Sequence, residues 1–594
     1  MSHHGPWRSY TTFKELGGRD VSPEEVTEAL SGLALDAVLG FLGRLSLLAS
    51  RHEVDFFDPA VQGDFLNLAI VDDFPTPLPH APEMYQPGRV PVTGGPYVFI
   101  HQRNVAWLAH QAILHCERDV TTIELTPSLK GRCCRLLLIG NDFFADSPGD
   151  PTSSLAAGRA FAVQMLRLQQ FMDFTANSRE AVRALAREWL LFARFLPAHF
   201  EVEAAFQGAT GVSLAEYFDV LALFVPYVFQ TLAQSGNPWQ SRSGLFKDFD
   251  AARHTAQRVL EGWVSTPSGY EGSNTEFTHE YPLDADALEH FDYVALQATP
   301  IIEARRDELL IPVLPYLYCK PADEPYFRLA GDNAFRTAYG LAYEDYAHSL
   351  VARIAASASD GPWTVWRSPP QRPGEEYCDT VLVKGPNAIV FEHKGGRLHS
   401  AFLRGGEGDR VLGPPLATLE EIDSGIELSA RELKERDKAL LTRGLWQLGS
   451  WAVELTRWIE GTTGDPIAAV WPMLTHHAQA RIDETVRLSL LNRLLGAIRP
   501  FSDARWRAPE WLYVGDLEAL AYTAERNQLR LLDLLDRKAA DAPNASFESF
   551  IRRTYSEFPL DPVLDITAKD LMVHAAQRFW PGRPPPRVPA EPTL

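Results

Sequence analysis

The stretch CDTVLVKGPNAIVFEHKGG, Cys378 to Gly396, holds two short runs rich in β-branched residues on either side of Gly385-Pro386-Asn387. Runs of this kind around a turn signal predict an antiparallel hairpin. Side chains alternate across a strand, so Glu392 and Lys394 share one face and His393 takes the other. The place of Asp379 depends on the turn. A two-residue loop at Gly385-Pro386 sets Asp379 opposite Glu392, and one at Pro386-Asn387 sets it opposite Lys394; either gathers the three charges on one face. A three-residue loop pairs Asp379 with His393 on the wrong face, unless a bulge corrects it.

Charges set among Val381, Val383, Ile389, Val390 and Phe391 are costly unless they are paired or used. Hard Mg²⁺ ions take oxygen ligands, and phosphodiester hydrolysis needs charge neutralised on the attacking and leaving oxygens. Asp379 and Glu392 are therefore the candidate metal ligands, with the backbone carbonyl of His393 as a third oxygen and Mn²⁺ as a substitute ion. Lys394 is expected to stabilise charge developing on the phosphate and to orient water. The carboxylates beside it favour its protonated form, which argues against a pure general base. The plain alternative is a turn-capping Asp379 and a solvated Glu392–Lys394 pair.

Working outward, Phe335, Ala338, Leu341, Ala342, Tyr346, Leu350 and Ile354 fall on a helical stripe upstream of the hairpin. Downstream come a helix around 429–460, a strand at 467–475, a helix at 483–498, a strand at 511–514 and a helix after Asp516. That alternation predicts an α/β or α+β domain. Within it GLAYEDY (340–346), the hairpin and RGLWQLGSW (443–451) resemble the PD-(D/E)xK nuclease superfamily over about residues 330–540. Cys378 stands where that motif has proline. The resemblance implies a restriction-endonuclease-like fold around a central mixed sheet, with Glu344 joining the metal site. It also implies that Gln447 matches a glutamine which, in RecB-type nucleases, supports the active site or contacts DNA.

Mg²⁺-dependent hydrolysis of DNA follows from the resemblance, and a setting in bacterial restriction or phage defence follows from analogy alone. Arg397 is a candidate phosphate contact by proximity to the hairpin, and Arg443 is one as a basic residue of the helix region 426–460, if the basic residues there share a face. Competing readings are an RNA-directed nuclease and a catalytically silent nucleic-acid-binding or assembly module of the same fold.

The whole chain, 594 residues, calls for two to four folding units. The expected divisions are a mixed region of helices and short strands (1–155), a mainly helical region (156–300), the nuclease-like domain (330–540), a helical extension (541–580) and a Pro-rich tail (581–594). SPEE at Ser22–Glu25 predicts a capped helix start. TTIELTP (121–127) and CRLLLIG (134–140) read as buried strands, and 261–292 as a boundary or long surface loop. The apolar run Val220 to Ala233 is short and contains Pro226, favouring a buried helix pair or kink over a membrane span.

A net charge of -21 argues against a passive wrapper of nucleic acid but leaves room for a local basic channel. The five cysteines form no CxxC pair and suit a reducing compartment. The N-terminus lacks a signal-peptide core, so a cytoplasmic protein without membrane contact is expected. The N-terminal helical region is the expected contact for substrate, a protein partner or another copy. His476-His477 lack further spaced ligands and predict no metal site of their own.

Overall fold

The computed structural model describes residues 9–10, 13–14, 18–51, 61–62, 65, 97–119, 124–145, 178–242, 253–280, 294–372, 375–395, 443–477, 504–527, 530–542, 547–554 and 562–579. The first helix, α1 (Pro23–Ser31), starts as expected. Ser22 Oγ accepts from the Glu25 N–H, and the Glu25 carboxylate accepts from the Ser22 N–H at 2.9 Å. Helices α2 (Leu35–Arg51), α3 (Gln102–His115) and α4 (Pro127–Ala145) then share one apolar core. CRLLLIG is not a strand: it lies inside α4, where Cys133, Cys134 and Leu136 to Ile139 are all buried. A helix covered nearly all round carries no apolar stripe, which is why this one reads as a strand. Of TTIELTP, residues 121–123 lie outside the described residues and 124–126 are irregular chain.

The region expected to be mainly helical, 156–300, contains α5 (Ser178–Leu190) and α6 (Leu214–Ser235), while its residues 156–177 lie outside the described residues. A single helix runs through Pro226, and among the described residues no helix is long and apolar enough to cross a membrane. A small mixed sheet follows from β1 (Trp239–Ser241), β2 (Val264–Ser265), β3 (Ile301–Arg305) and β4 (Glu308–Leu310), in the order β1-β4-β3-β2. Part of the expected loop at 261–292 is instead α7 (Pro267–Glu280), anchored by the buried Tyr270, whose hydroxyl meets His110 Nδ1 at 2.6 Å. Residues 281–293 lie outside the described residues.

Helix α8 (Leu314–Leu329) leads to α9 (Asn333–Ser357), which Asp332 caps through the Ala334 N–H. The stripe is buried as expected except for Leu341, which is exposed; Tyr339 and Tyr343 take the buried places beside it. After α9 the strands β5 (Thr364–Arg367), β6 (Thr380–Lys384), β7 (Asn387–Lys394), β8 (Ala469–His476) and β9 (Glu510–Tyr513) form a sheet in the order β9-β8-β7-β6-β5. β7, β8 and β9 run parallel; β5, β6 and β7 run antiparallel.

Pro472 sits inside β8, a central strand, where a missing N–H normally breaks the ladder. Val470 bonds to Arg505 and Arg507 on the β9 side. Alternation points the Pro472 nitrogen to that same side, where pairing is interrupted between the Val470–Trp506 bridge and the start of β9 at Glu510.

Two layers cover this sheet. Leu382, Ile389 and Phe391 join the core of α9 and of α12 (Val514–Asn527), which also takes in α5, α6 and α13 (Pro562–Phe579). The other face lies under two helices divided at Trp451, Arg443–Ser450 and Ala452–Thr463, where one helix around 429–460 is expected from sequence. Trp458 of the second packs edge-on to Trp366 of β5 at 5.8 Å. Residues 429–442 and the expected helix at 483–498 lie outside the described residues. The described residues are thus mostly helical, with mixed sheets of five and four strands beside two two-stranded ladders, broadly an α/β arrangement.

Candidate active site at the sheet edge

The β6–β7 turn has two residues. Lys384 stands opposite Asn387, and the ladder runs on to Thr380 opposite Phe391. This is the register that puts Asp379 opposite Glu392. Gly385 holds φ at 52°, a region glycine enters at little cost, and Pro386 fixes a negative φ after it, which leaves a II′ turn. Asp379 lies just before β6 and continues the ladder through its side chain. Its Oδ2 accepts the His393 N–H at 2.5 Å, its own N–H donates to Phe391 O at 3.2 Å, and its carbonyl accepts from Ser368 at 2.8 Å.

Glu392 is fully buried. Its Oε1 accepts a hydrogen bond from Lys394 Nζ, while Oε2 is buried without any hydrogen-bond partner. Burial and then the Asp379 charge push its carboxyl up to about 8, with Glu344 adding to the rise and Lys394 opposing it. For Lys394, burial pulls the pKa down, but Glu392, Asp379 and Glu344 together raise it above its ordinary value. The half-buried Glu344 of α9 is therefore close enough for its charge to be felt by both partners of the pair. Four of the residues expected from sequence meet at one edge of the sheet: Glu344, Asp379, Glu392 and Lys394.

The His393 side chain points to the opposite face, as alternation requires. Its Nδ1 meets Thr475 Oγ1 at 2.6 Å and its Nε2 meets Thr380 Oγ1 at 3.2 Å, while His348 of α9 reaches the same Thr380 hydroxyl at 3.0 Å. Burial drops the ring to about 3, so it is neutral, and Phe391 stacks beside it at 6.0 Å. The ring thus locks the backbone whose N–H grips Asp379.

Two glycines let helices close on this edge. A Cβ on Gly444, in α10 (Arg443–Ser450), would lie 2.9 Å from Glu392 Cγ and 3.3 Å from Lys394 Cε. One on Gly395 would lie 2.9 Å from Tyr343 Cβ of α9. Gln447 is half-buried and sits three residues beyond Gly444, on the same face of α10. Arg443 opens that helix, but its side chain lies outside the described residues, as does all of Arg397.

The donors suit a hard divalent cation. They are the carboxylates of Asp379, Glu392 and Glu344 with the His393 carbonyl alongside, and the orphaned Oε2 of Glu392 is an acceptor that such an ion or its water would satisfy. Among the described residues, no three His, Cys, Asp or Glu side chains form a ready-made cage.

Sequence reasoning missed Gly444, Gly395 and Thr475, and it left His476 without a place. The parallel register sets His476 beside Lys394 on the same face of the sheet, where it packs against Tyr513 at 6.2 Å. The apolar run ending in THH carried a signal, because charges at a strand's carboxyl end mark the ligand edge of an α/β sheet. Its register with β7 was not readable. Comparison with protein-family models, curated proteins and solved structures found no significant match.

Proposed function

We propose that the chain is a Mg²⁺-dependent nuclease of the PD-(D/E)xK type, with a restriction-endonuclease-like domain that hydrolyses DNA phosphodiester bonds. The observation that carries this reading is the convergence of Asp379, Glu392 and Lys394 through the two-residue turn, with one carboxylate oxygen of Glu392 left unsatisfied in a buried site. A bound cation or its water would supply the partner that this oxygen lacks.

Asp379, Glu392 and Glu344 would hold Mg²⁺ or Mn²⁺ with the His393 carbonyl. The bound ion would neutralise phosphate charge and lower the pKa of a coordinated water. Lys394, kept protonated by three carboxylates, faces the place where negative charge develops on the phosphate and stabilises it there. Gln447 is proposed to steady the site from α10, and Arg443 and Arg397 to meet phosphate. A role in bacterial restriction or phage defence, in the cytoplasm, extends the same proposal.

The test incubates the purified protein with linear, nicked and single-stranded DNA and with RNA, in Mg²⁺, Mn²⁺ or chelator. Glu392→Gln and Lys394→Ala are expected to lower cleavage by at least about 10²-fold with the fold intact. Cleavage that survives both substitutions removes the site from the chemistry, and cleavage of RNA alone reassigns the substrate.

A further inference from the structure

Helix α5 belongs to the helical region, yet two adjacent charged residues of it, Arg187 and Glu188, are buried at the carboxyl ends of β8 and β9. Glu188 receives two donors. The His477 Nε2–H reaches Oε1 at 3.0 Å, and the Tyr339 hydroxyl reaches Oε2 at 3.0 Å. The His477 ring stands edge-on between Tyr339 and Tyr343 of α9, at 5.7 and 5.4 Å. The backbone N–H of the same His477 donates to the carbonyl of Lys394 at 3.1 Å. A single residue therefore joins a buried carboxylate of the helical region to the main chain of the lysine in the proposed site.

We infer that Glu188 and His477 are positioning residues for Lys394, so that the seating of α5 sets the working geometry of the nuclease site. The inference rests on the reading given under Proposed function and adds a mode of regulation to it: any partner that shifts α5 loosens the strand end carrying Lys394. Lys394 is the last residue of β7, and the next residue, Gly395, lies against Tyr343 of α9. Among the described residues, the main-chain bond to His477 and this close approach to α9 help to hold the strand end. Removing the Glu188 charge weakens the hold on the His477 ring, and the backbone N–H that meets the Lys394 carbonyl is then less firmly placed. Positioning errors of about 1 Å cost on the order of 10²-fold in rate.

Glu188→Gln is expected to lower kcat at least tenfold with KM within twofold of wild type. His477→Phe keeps the aromatic packing between the tyrosines and removes the donor to Glu188, and is expected to match it. His477→Gln restores a donor and is expected to recover part of the loss. Arg183→Ala is the control, because Arg183 lies on the same helix and pairs at 3.1 Å with Asp565 of α13. Parallel kcat losses in Glu188→Gln and Arg183→Ala would overturn the inference, since α5 would then matter only for stability.

Hydrogen exchange reads the same claim without activity. In Glu188→Gln, amides of a peptide covering 387–395 are expected to exchange at least tenfold faster than in wild type, and unchanged exchange overturns the inference. A wild-type protein that cleaves no nucleic acid overturns the nuclease reading instead, leaving exchange to decide whether α5 holds the strand end.

Discussion

Of the ion pairs among the described residues, Arg187–Glu518 and Lys394–Glu392 are built differently. Arg187 of α5 meets Glu518 of α12 through two parallel contacts of 2.5 and 2.7 Å, and the Tyr346 hydroxyl adds a third to Glu518 at 2.7 Å. Both carboxylate oxygens are used, and Arg187 keeps Nη1 for the Tyr513 hydroxyl at 3.2 Å. Lys394 and Glu392 share one contact, two further carboxylates crowd them, and an oxygen is left over. The first arrangement is complete and joins elements far apart in sequence. The second is open. A buried charge whose hydrogen bonds are all made resists change, whereas one held short of its complement is ready for an additional ligand.

Breaking the closed pair has the largest expected effect on stability. Arg187→Met strands Glu518 without its partner and should cost about 3–5 kcal/mol in urea unfolding. Arg187→Met with Glu518→Met should recover much of that loss, and a double variant as weak as the single one would show that the pair is not a unit.

The open pair should respond in the opposite direction. The folded-state pKa of Glu392, about 8, lies above the ordinary carboxyl value, so between those two values the folded chain holds a proton that the unfolded chain has released. Stability from this group is therefore lost as pH rises through that window. Glu392→Gln removes the penalty. Without divalent ions its gain over wild type should grow from pH 5 to pH 8 and reach about 2–4 kcal/mol at pH 9. Thermal unfolding of both proteins across that range is the measurement, and a pH-independent gap would place the Glu392 pKa elsewhere.

A smaller effect separates two glycines in the covering helices. A Cβ on Gly444 meets Leu474 and the stem of Glu392, so Gly444→Ala should cost about 1–3 kcal/mol and disturb the site. Gly461, in α11 (Ala452–Thr463), has open space around it, and Gly461→Ala should be neutral or stabilise by up to about 1 kcal/mol. Equal behaviour of the two would mean that α10 does not press on the site.

The hairpin was legible because its information is local: alternation over a few residues puts Glu392 and Lys394 on one face, while the loop length that places Asp379 with them is settled by the strand register. Helix α9 was legible from its stripe, with Leu341 misplaced because the tyrosines on either side of it, Tyr339 and Tyr343, fill the core better. α4 was misread because Leu136 to Ile139 are all buried, which leaves no polar face to reveal its period. α7 was misread because its Gly-rich, polar sequence carries weak helix propensity and gains its order from Tyr270 against His110. Sequence reasoning did not single out Arg187 and Glu188. Their partners, His477 and Glu518, lie hundreds of residues away, and no local pattern announces them.

The hairpin tip lies well away from the chemistry: from Asn387 to Lys394 the strand climbs roughly 20 Å at its usual rise. The tip nonetheless fixes the parity of everything beyond it. Exchanging Gly385 or Pro386 for other residues can only strain the bend, but adding or deleting one residue there would exchange the inner and outer faces of β7, sending His393 inward and both charged neighbours outward. Length at this bend therefore matters more than identity, and substitutions at the tip should be tolerated better than single-residue insertions and deletions.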